Sequence, residues 1–578
     1  MYRLIPYLKT YRVPLFWGLL CVGISDVFMV ISPWILKLGV DWMESGVTSR
    51  RIAMIASALV GIALVGGVFR YLMRWTVIGV SRRIELDLRN NLYRHLTTLP
   101  QNFYNYTRTG DIMARSTSDL DQVRMVLGPG VMYPVDTTIS ILFSVTMMLY
   151  ISPMLTLYVL MIGPLASASA YFLGQQIFKH TLRIQEQYST LNDFIQENIS
   201  GVRIVRSFLA EGFHESEFDG LNREYLQRNM DMVRVQSMFM PLLFTLFSLG
   251  AALILWAGGR SIILGDLSLG DFVAFVGYLG ILTWPMIALG WVVNLYQRGA
   301  ASMARINRIL DAPPEDYSFE GKHQDGKVQG DIEFVNVSFK YPGTDRWVLR
   351  DINLTIPRGG TLAVVGKTGS GKTTLISLLS RLWDVTEGEI RVGGIPVQDY
   401  PLEDLRQAMG FVPQDPLLFS MRIGKNIAVG RPGADDDDIQ KAAEIAGINP
   451  EIQEFPKGYQ TPVGERGITL SGGQKQRTAL ARAILRQPEI LILDDALSSV
   501  DTQTEEVVLD GLRKVMQHRT TLMVAHRIST IQGADHIIVL DEGSIIEQGT
   551  HEELIASGGL YAELHQKQQL REALEEME

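Results

Sequence analysis

The sequence predicts a helical membrane domain of six spans fused to an α/β domain built around a phosphate loop. Three observations predict it. Long apolar windows crowd the first 300 residues and are absent after about residue 310. From Asp331 onward, short β-branched stretches alternate with helical ones. Residues 366–373 read GKTGSGKT, which fills every fixed position of the G-x-x-x-x-G-K-[ST] phosphate loop. A chain of 578 residues has room for several domains. A hydrophobic content of 47% is high for a soluble protein of this length, and a net charge of −9 gives no sign of nucleic-acid binding. The one cysteine, Cys21, lies in an apolar stretch. It excludes a disulfide framework and a cysteine metal site, and it reads as a small buried apolar residue.

A membrane-crossing helix needs ~20 mostly apolar residues. Six windows qualify, near 13–37, 52–75, 127–151, 154–174, 238–258 and 271–295. The start MYRLIPYLKTYR mixes polar and aromatic residues and reads as a short interfacial helix rather than a cleavable signal. Only Ser152-Pro153 separates the third and fourth windows, so they form a hairpin. The second-to-third and fourth-to-fifth connections are long, charged and helical in pattern. Arg82, Arg83, Arg89, Arg94, Arg108, Arg115 and Arg124 fill the first of these, and Arg3, Lys9 and Arg12 the N-terminus, whereas the third-to-fourth turn has no basic residue. The excess of positive charge places both termini and both long connections in the cytoplasm. Residues 1–310 are thus the expected membrane domain, the polar, turn-rich stretch 311–330 a linker, and 331–578 the α/β domain.

The second domain is expected to hold a nucleotide. An apolar strand ends at the loop Gly366, Lys367, Thr368, Gly369, Ser370, Gly371, Lys372, Thr373, with Thr374 next in the helix that follows. Backbone N–H groups and the helix N-terminus favour phosphate there. Lys372 should reach the outer phosphates and the Thr373 hydroxyl should bind Mg²⁺. The buried strand Ile490–Asp494 places Asp494 as a second Mg²⁺ ligand. Tyr341, in SFKYPG, is a candidate to stack on adenine. Gln414, in FVPQDP, is a candidate for Mg²⁺ or water contact, and His526, in VAHR, for the terminal phosphate.

LSGGQKQR at 470–477 resembles the signature of ATP-binding cassette (ABC) transporters, and VGERG at 463–467 resembles the motif that exporters of that family place before it. The order of Tyr341, phosphate loop, Gln414, signature, Asp494, Asp501 in SSVD and His526 matches throughout. The resemblance covers nearly the whole chain and implies the type IV exporter fold, six helices fused to one ATPase domain. It further implies that two such domains dimerise head to tail, so that Leu470, Ser471, Gly472, Gly473 and Gln474 meet an ATP held by the partner's loop, with Asp501 in the connecting D-loop. Short coupling helices end the cytoplasmic connections in that family and dock on the ATPase domains. Candidates are Thr109–Arg115 and Glu211–Phe213, the latter approached through Thr190–Phe208. By resemblance, the fourth and fifth helices cross to the partner.

The family's usual residue at position 495 is glutamate, which polarises the attacking water. Here it is Asp495, one methylene shorter, so its site is expected to bind ATP and hydrolyse it slowly. With an intact LSGGQ, that combination resembles the degenerate-site subunit of a heterodimeric bacterial exporter. The implied partner is a second half-transporter carrying the glutamate, and the implied place is the bacterial cytoplasmic (inner) membrane. A homodimer with two slow sites is the competing assembly. Export of hydrophobic drugs or lipids is the expected function. A peptide exporter and a non-transporting regulator or channel on the same fold are the alternatives.

In the spans, Asp26 and Asp136 are candidates for a substrate cavity, since a carboxylate at membrane depth faces a cavity or a partner. A structural pair is the bland account. Arg70 and Arg74 read as snorkelling to the cytoplasmic interface. The methionines Met29, Met132, Met147, Met148, Met161, Met238 and Met240 suit promiscuous apolar binding but are also ordinary membrane filler.

Overall fold

The computed structural model describes residues 2–575 apart from Val47, the segment 316–327 and His526. Most of the expected linker therefore lies outside the described residues. The chain divides into two compact units, Met1–Leu96 with Thr109–Asp311, and Thr97–Arg108 with Ala312–Glu578.

In the first unit the six apolar windows fall on long helices, Arg12–Glu44, Ser49–Thr97, Pro129–Ile151, Pro153–Ser200, Glu211–Ile263 and Leu269–Leu310, the third helix starting two residues after its window because Gly128 breaks the chain. Among the described residues four helical stretches are long and apolar enough to cross a membrane; the apolar part of the last helix, Leu269–Pro285, is shorter. At 1.5 Å per residue the 49-residue second helix is roughly 70 Å long, more than twice a bilayer core. It therefore continues well beyond the membrane into the long second-to-third connection. Ser152 caps the fourth helix by accepting from the Leu155 N–H, which sharpens the hairpin at Pro153. The sixth helix starts with a reciprocal cap between Ser268 and Asp271. Asp41 of the first helix accepts from the Gly270 N–H at 2.9 Å, and Lys37 pairs with Asp271. A Cβ on Gly270 would sit 2.3 Å from the Asp41 carboxylate, so glycine is needed for this approach. The core here packs Val30, Met148, Leu155, Ile254, Phe275 and Tyr278. The fourth and fifth helices pair chiefly with each other. They leave Leu160, Met161, Tyr171, Phe172, Met238 and Phe244 exposed.

The second-to-third connection contains the short helix Thr109–Ala114, where a coupling element was expected. In the second connection the short helix is Val202–Ser207, and Glu211 begins the long fifth helix. The second coupling candidate, Glu211–Phe213, is therefore not on a short helix. The chain breaks earlier, on either side of Val202–Ser207, at Gly201 and at Leu209, whose φ is +51°.

The second unit has two sheets. The strands are β1 (Ile332–Phe339), β2 (Leu349–Ile356), β3 (Thr361–Gly366), β4 (Glu387–Val392), β5 (Ile395–Pro396), β6 (Met409–Val412), β7 (Ile490–Asp494), β8 (Thr520–Val524), β9 (His536–Asp541) and β10 (Ser544–Gly549). The smaller sheet is antiparallel in the order β2-β1-β4-β5. The larger runs β10-β9-β3-β8-β7-β6, parallel except for the β9–β10 hairpin. The parallel strands read as continuous apolar runs because both faces are covered, and two apolar clusters pack the sheets. The segment Thr97–Arg108 belongs to this unit. Its Tyr106 hydroxyl donates to the Pro342 carbonyl, and Thr98 accepts from the Glu315 N–H.

Candidate functional site

In an open parallel sheet, ligands bind beyond the carboxyl ends of the strands. Here β3 runs into the phosphate loop and β7 ends on Asp494, with β8 between them. The loop then enters the helix Lys372–Leu379. Its path needs glycine. Gly369 and Gly371 have φ of +83° and +105°, and a Cβ on Gly366 would lie 2.1 Å from the Leu540 carbonyl. Lys372 is buried, and its Nζ donates to the carbonyls of Gly366 and Lys367 at 2.8 and 2.9 Å. Burial holds its ammonium below the usual lysine range, while Asp494 and Asp495 pull the other way. Buried Ser370 Oγ has no hydrogen-bond partner among the described residues. An unpaired polar atom inside a ring of backbone turns suits an anionic ligand with oxygen acceptors. Thr368, by contrast, is exposed on the loop's outer side.

Thr373 Oγ1 donates to Asp494 Oδ1 at 3.3 Å. Two oxygen ligands at the joint of loop and strand are the donor type that Mg²⁺ takes. Gln414 lies two residues past β6, the neighbour of β7, with its side chain exposed. Tyr341 directs its hydroxyl to Thr374 Oγ1 at 2.9 Å and sits edge-on to Phe339 and Trp383. It thus stands beside the loop's helix. His526 follows β8 but lies outside the described residues.

Asp495 is buried at φ +49°, a conformation in which aspartate is among the less disfavoured non-glycine residues. Its backbone is held on both sides. Its N–H donates to the Val524 carbonyl at 2.8 Å, and its carbonyl accepts from Ser498 Oγ at 3.1 Å and Gln476 Nε2 at 3.4 Å. A cavity of about 20 Å³ lies alongside, lined in part by Asp495, Ser498, Glu505 and Arg527.

The signature residues open the helix Gly472–Leu485. Ser471 is its N-cap, with Gln474 reciprocating, and Leu470 is buried. Gly472 and Gly473 pack on Ser499; a Cβ on Gly473 would lie 2.9 Å from the Ser499 carbonyl oxygen. Asp501 caps the next helix by accepting from the Thr504 N–H, which holds its carboxyl below the usual range. The structure adds Gln476, unassigned from sequence. Buried to 3% exposure, it donates to Ser498 Oγ at 2.9 Å and accepts from the Ser499 N–H at 2.9 Å. Its position one turn after Gly473, on the same helix face, was the available signal.

In the membrane unit, two cavities share Met29 and Arg70. One, about 440 Å³, is lined by Ser25, Ser32, Gly66 and Ile281 among others. The other, about 350 Å³, is lined by Arg74, Met132, Tyr133, Asp136 and Trp284. Asp136 therefore faces a cavity. Asp26 is fully buried beside it, with neither carboxylate oxygen hydrogen-bonded among the described residues. Arg70 and Arg74 are exposed, and Arg70 donates to Met29 Sδ at 3.2 Å.

Comparison with known proteins accords with this arrangement. Residues 15–286 match the family model for the ABC transporter transmembrane region, and residues 349–498 match the ABC transporter family model. A probable multidrug resistance ABC transporter ATP-binding/permease protein of Bacillus subtilis, YheI, is 37% identical over 96% of this chain and 94% of its own length. An ATP-dependent lipid A-core flippase of Acinetobacter baylyi is 34% identical over 98% of each. The solved structure of a bacterial Atm1-family ABC exporter with ATP bound superposes with a TM-score of 0.80 at 28% identity, covering 97% of this chain and 98% of that one. With a phosphate loop facing a strand-end aspartate and a six-helix membrane region on one polypeptide, the chain belongs to the ABC transporter family and has the type IV exporter fold.

Proposed function

We propose that the chain is one half of a dimeric exporter that uses ATP to move hydrophobic compounds, drugs or lipids, across the bacterial cytoplasmic membrane. The observation that carries this reading is the Thr373–Asp494 contact beside a glycine-built phosphate loop, on a chain whose membrane unit holds cavities lined by methionine, aromatic and charged side chains. Such a lining suits amphiphiles of varied shape. The names of the B. subtilis and A. baylyi relatives support multidrug and lipid substrates respectively.

On this reading residues 1–310 form the membrane domain and 331–578 the ATPase, both termini being cytoplasmic. Gly366–Thr374 cradle the phosphates and Lys372 meets the outer ones. Tyr341 stacks on adenine, and His526 meets the terminal phosphate. Thr373, Asp494 and Gln414 would hold Mg²⁺, which when bound neutralises charge on the phosphates. Asp495 positions the attacking water poorly, so hydrolysis at this chain's own loop is slow. Leu470–Gln474 serve the partner's ATP, with Asp501 in the D-loop between. The exposed apolar face of the fourth and fifth helices supports their crossing to that partner. A different subunit carrying glutamate is favoured over a second copy because this chain keeps an intact signature beside a shortened carboxylate.

The test is ATP-dependent ethidium accumulation in inverted vesicles containing this chain alone or with the product of its adjacent gene. Transport only from the pair is expected. Vigorous ATPase activity from this chain alone would overturn the heterodimer, and ATPase activity without accumulation of ethidium or a labelled lipid would favour a regulator.

A further inference from the structure

The second-to-third connection carries a device that the nucleotide site does not use. Directly after the short helix Thr109–Ala114, the residues Arg115–Asp119 form a five-residue π-turn, and the helix Leu120–Leu127 follows. A π-turn is a wide, weakly favoured geometry that concentrates at functional sites and at kinks. Here three successive hydroxyls stabilise it. Ser116, Thr117 and Ser118 donate to the carbonyls of Ile112, Met113 and Ala114 at 2.8, 2.7 and 2.9 Å. Hydroxyls bonding back by four residues offer the backbone carbonyls a second partner and bend the helix.

The last residue of the turn is clamped. Asp119, 6% exposed, accepts from Arg305 of the sixth helix in a two-pronged pair, Nε at 2.8 Å and Nη2 at 2.5 Å, and Ser302 Oγ holds the same Nη2 at 3.0 Å. Beyond the clamp the two segments are packed as one body. A Cβ on Gly299 would lie 2.2 Å from Val126 Cγ2, and the Tyr296 hydroxyl donates to the Gly130 carbonyl at 2.9 Å. The second helix joins this body through buried Glu85, which pairs with Arg82, Arg89 and buried Arg124. On the other side of the turn, Thr109–Ala114 has no buried residue. A wide turn thus separates a largely exposed short helix from a packed block, and the fork between Asp119 and Arg305 ties that block to the sixth helix.

We propose that Arg115–Asp119 is a hinge and that the Asp119–Arg305 pair is the positioning element that delivers a displacement of Thr109–Ala114 to the sixth membrane helix. A planar guanidinium holding both carboxylate oxygens resists rotation as well as separation, which a single hydrogen bond does not. Neither residue is among those lining the two membrane cavities described above. The inference rests on the export reading only in requiring that ATP binding moves the membrane helices.

The test is hydrogen exchange by mass spectrometry on the purified dimer in lipid nanodiscs, with and without ATP, Mg²⁺ and vanadate. In the wild type, nucleotide should protect the phosphate-loop helix 372–379 and raise exchange at the outer end of the sixth helix, 269–285. Asp119→Asn should keep the first change and reduce the second by about threefold or more. Arg305→Lys, which keeps the charge and loses the fork, should do the same to a smaller degree. The exchanged pair Asp119→Arg with Arg305→Asp should recover most of the response. Loss of both changes together in Asp119→Asn and Arg305→Lys, or loss of neither, would overturn the clamp. A wild type with no outer-end response would overturn the export reading itself, and the clamp with it.

Discussion

Replacing Asp495 by glutamate should speed hydrolysis at this chain's own phosphate loop. The added methylene advances the carboxylate by about 1.5 Å, one carbon–carbon bond. The backbone cannot have compensated by sliding forward, because the residue's N–H is held by Val524 and its carbonyl by Ser498 and Gln476. A misplacement of about 1 Å can cost about a hundredfold in rate, equivalent to roughly 2.7 kcal/mol of barrier. The expected gain in kcat is therefore about ten- to a hundredfold, with KM unchanged, since the interaction gained is one made in the transition state. A cost should appear elsewhere. At φ +49° glutamate is less favoured than aspartate, so stability should fall by under about 1 kcal/mol. The assay is phosphate release from the dimer in nanodiscs, with kcat and KM determined separately; in a heterodimer the partner's phosphate-loop lysine is replaced first, so that only this site turns over. A kcat within about twofold of wild type would refute the reasoning, because a limiting misplacement of this size must show as more.

Two further substitutions separate folding from function. Ser370→Ala removes a buried hydroxyl that has no partner among the described residues, so the nucleotide-free protein should become more stable by about 1 kcal/mol while ATP affinity falls about tenfold; thermal unfolding without nucleotide and ATP titration would show the opposite signs. Gly473→Ala puts a methyl 2.9 Å from the Ser499 carbonyl while improving helix propensity by up to about 1 kcal/mol. The clash with a backbone oxygen outweighs that gain, so the melting temperature should fall modestly while turnover at the site served by this signature drops about tenfold or more; turnover within about twofold of wild type would count against it.

The architecture was legible because its signals are local. Hydropathy over ~20 residues marks a membrane helix whatever its neighbours do, and the phosphate loop's glycines record backbone demands at Gly366, Gly369 and Gly371 that no other residue meets well. Legibility ended where contacts between distant segments decide. That Thr97–Arg108 belongs with the second unit follows from Tyr106 meeting Pro342, a pairing across more than 200 positions that no periodicity encodes. The short helix of the second connection lies at Val202–Ser207 rather than at the candidate Glu211–Phe213, because the chain breaks at Leu209, whose φ of +51° no periodicity encodes. The membrane cavities were half-visible. Asp26 and Asp136 stood out by chemistry alone, but which of them faces open space is set by helix packing. Gln476 was missed for a different reason: a glutamine in a polar run looks exposed, and only the fold of the D-loop over the signature helix buries it.

That burial bears on the slow site proposed for this chain. Gln476 ties the signature helix to the Asp495 carbonyl and to the Ser499 N–H, and Gly473 leaves no gap between that helix and Ser499. The residue proposed to act on this chain's own ATP and the residues proposed to meet the partner's ATP are therefore parts of one rigid body. A glutamate at 495 would release that body each time the local ATP is split. On the slow-site reading, aspartate would prolong the bound state, and the tie through Gln476 would keep the signature aligned over the partner's nucleotide while ATP stays bound. In a homodimer the same link would make both sites slow, each holding the other in place without either turning over quickly. In the proposed asymmetric pair, by contrast, one nucleotide would serve as a strut and the other as fuel. The tie through Gln476 thus gives the proposed heterodimer a physical part to play, since this chain's slow site would hold its own signature in place for the partner's turnover.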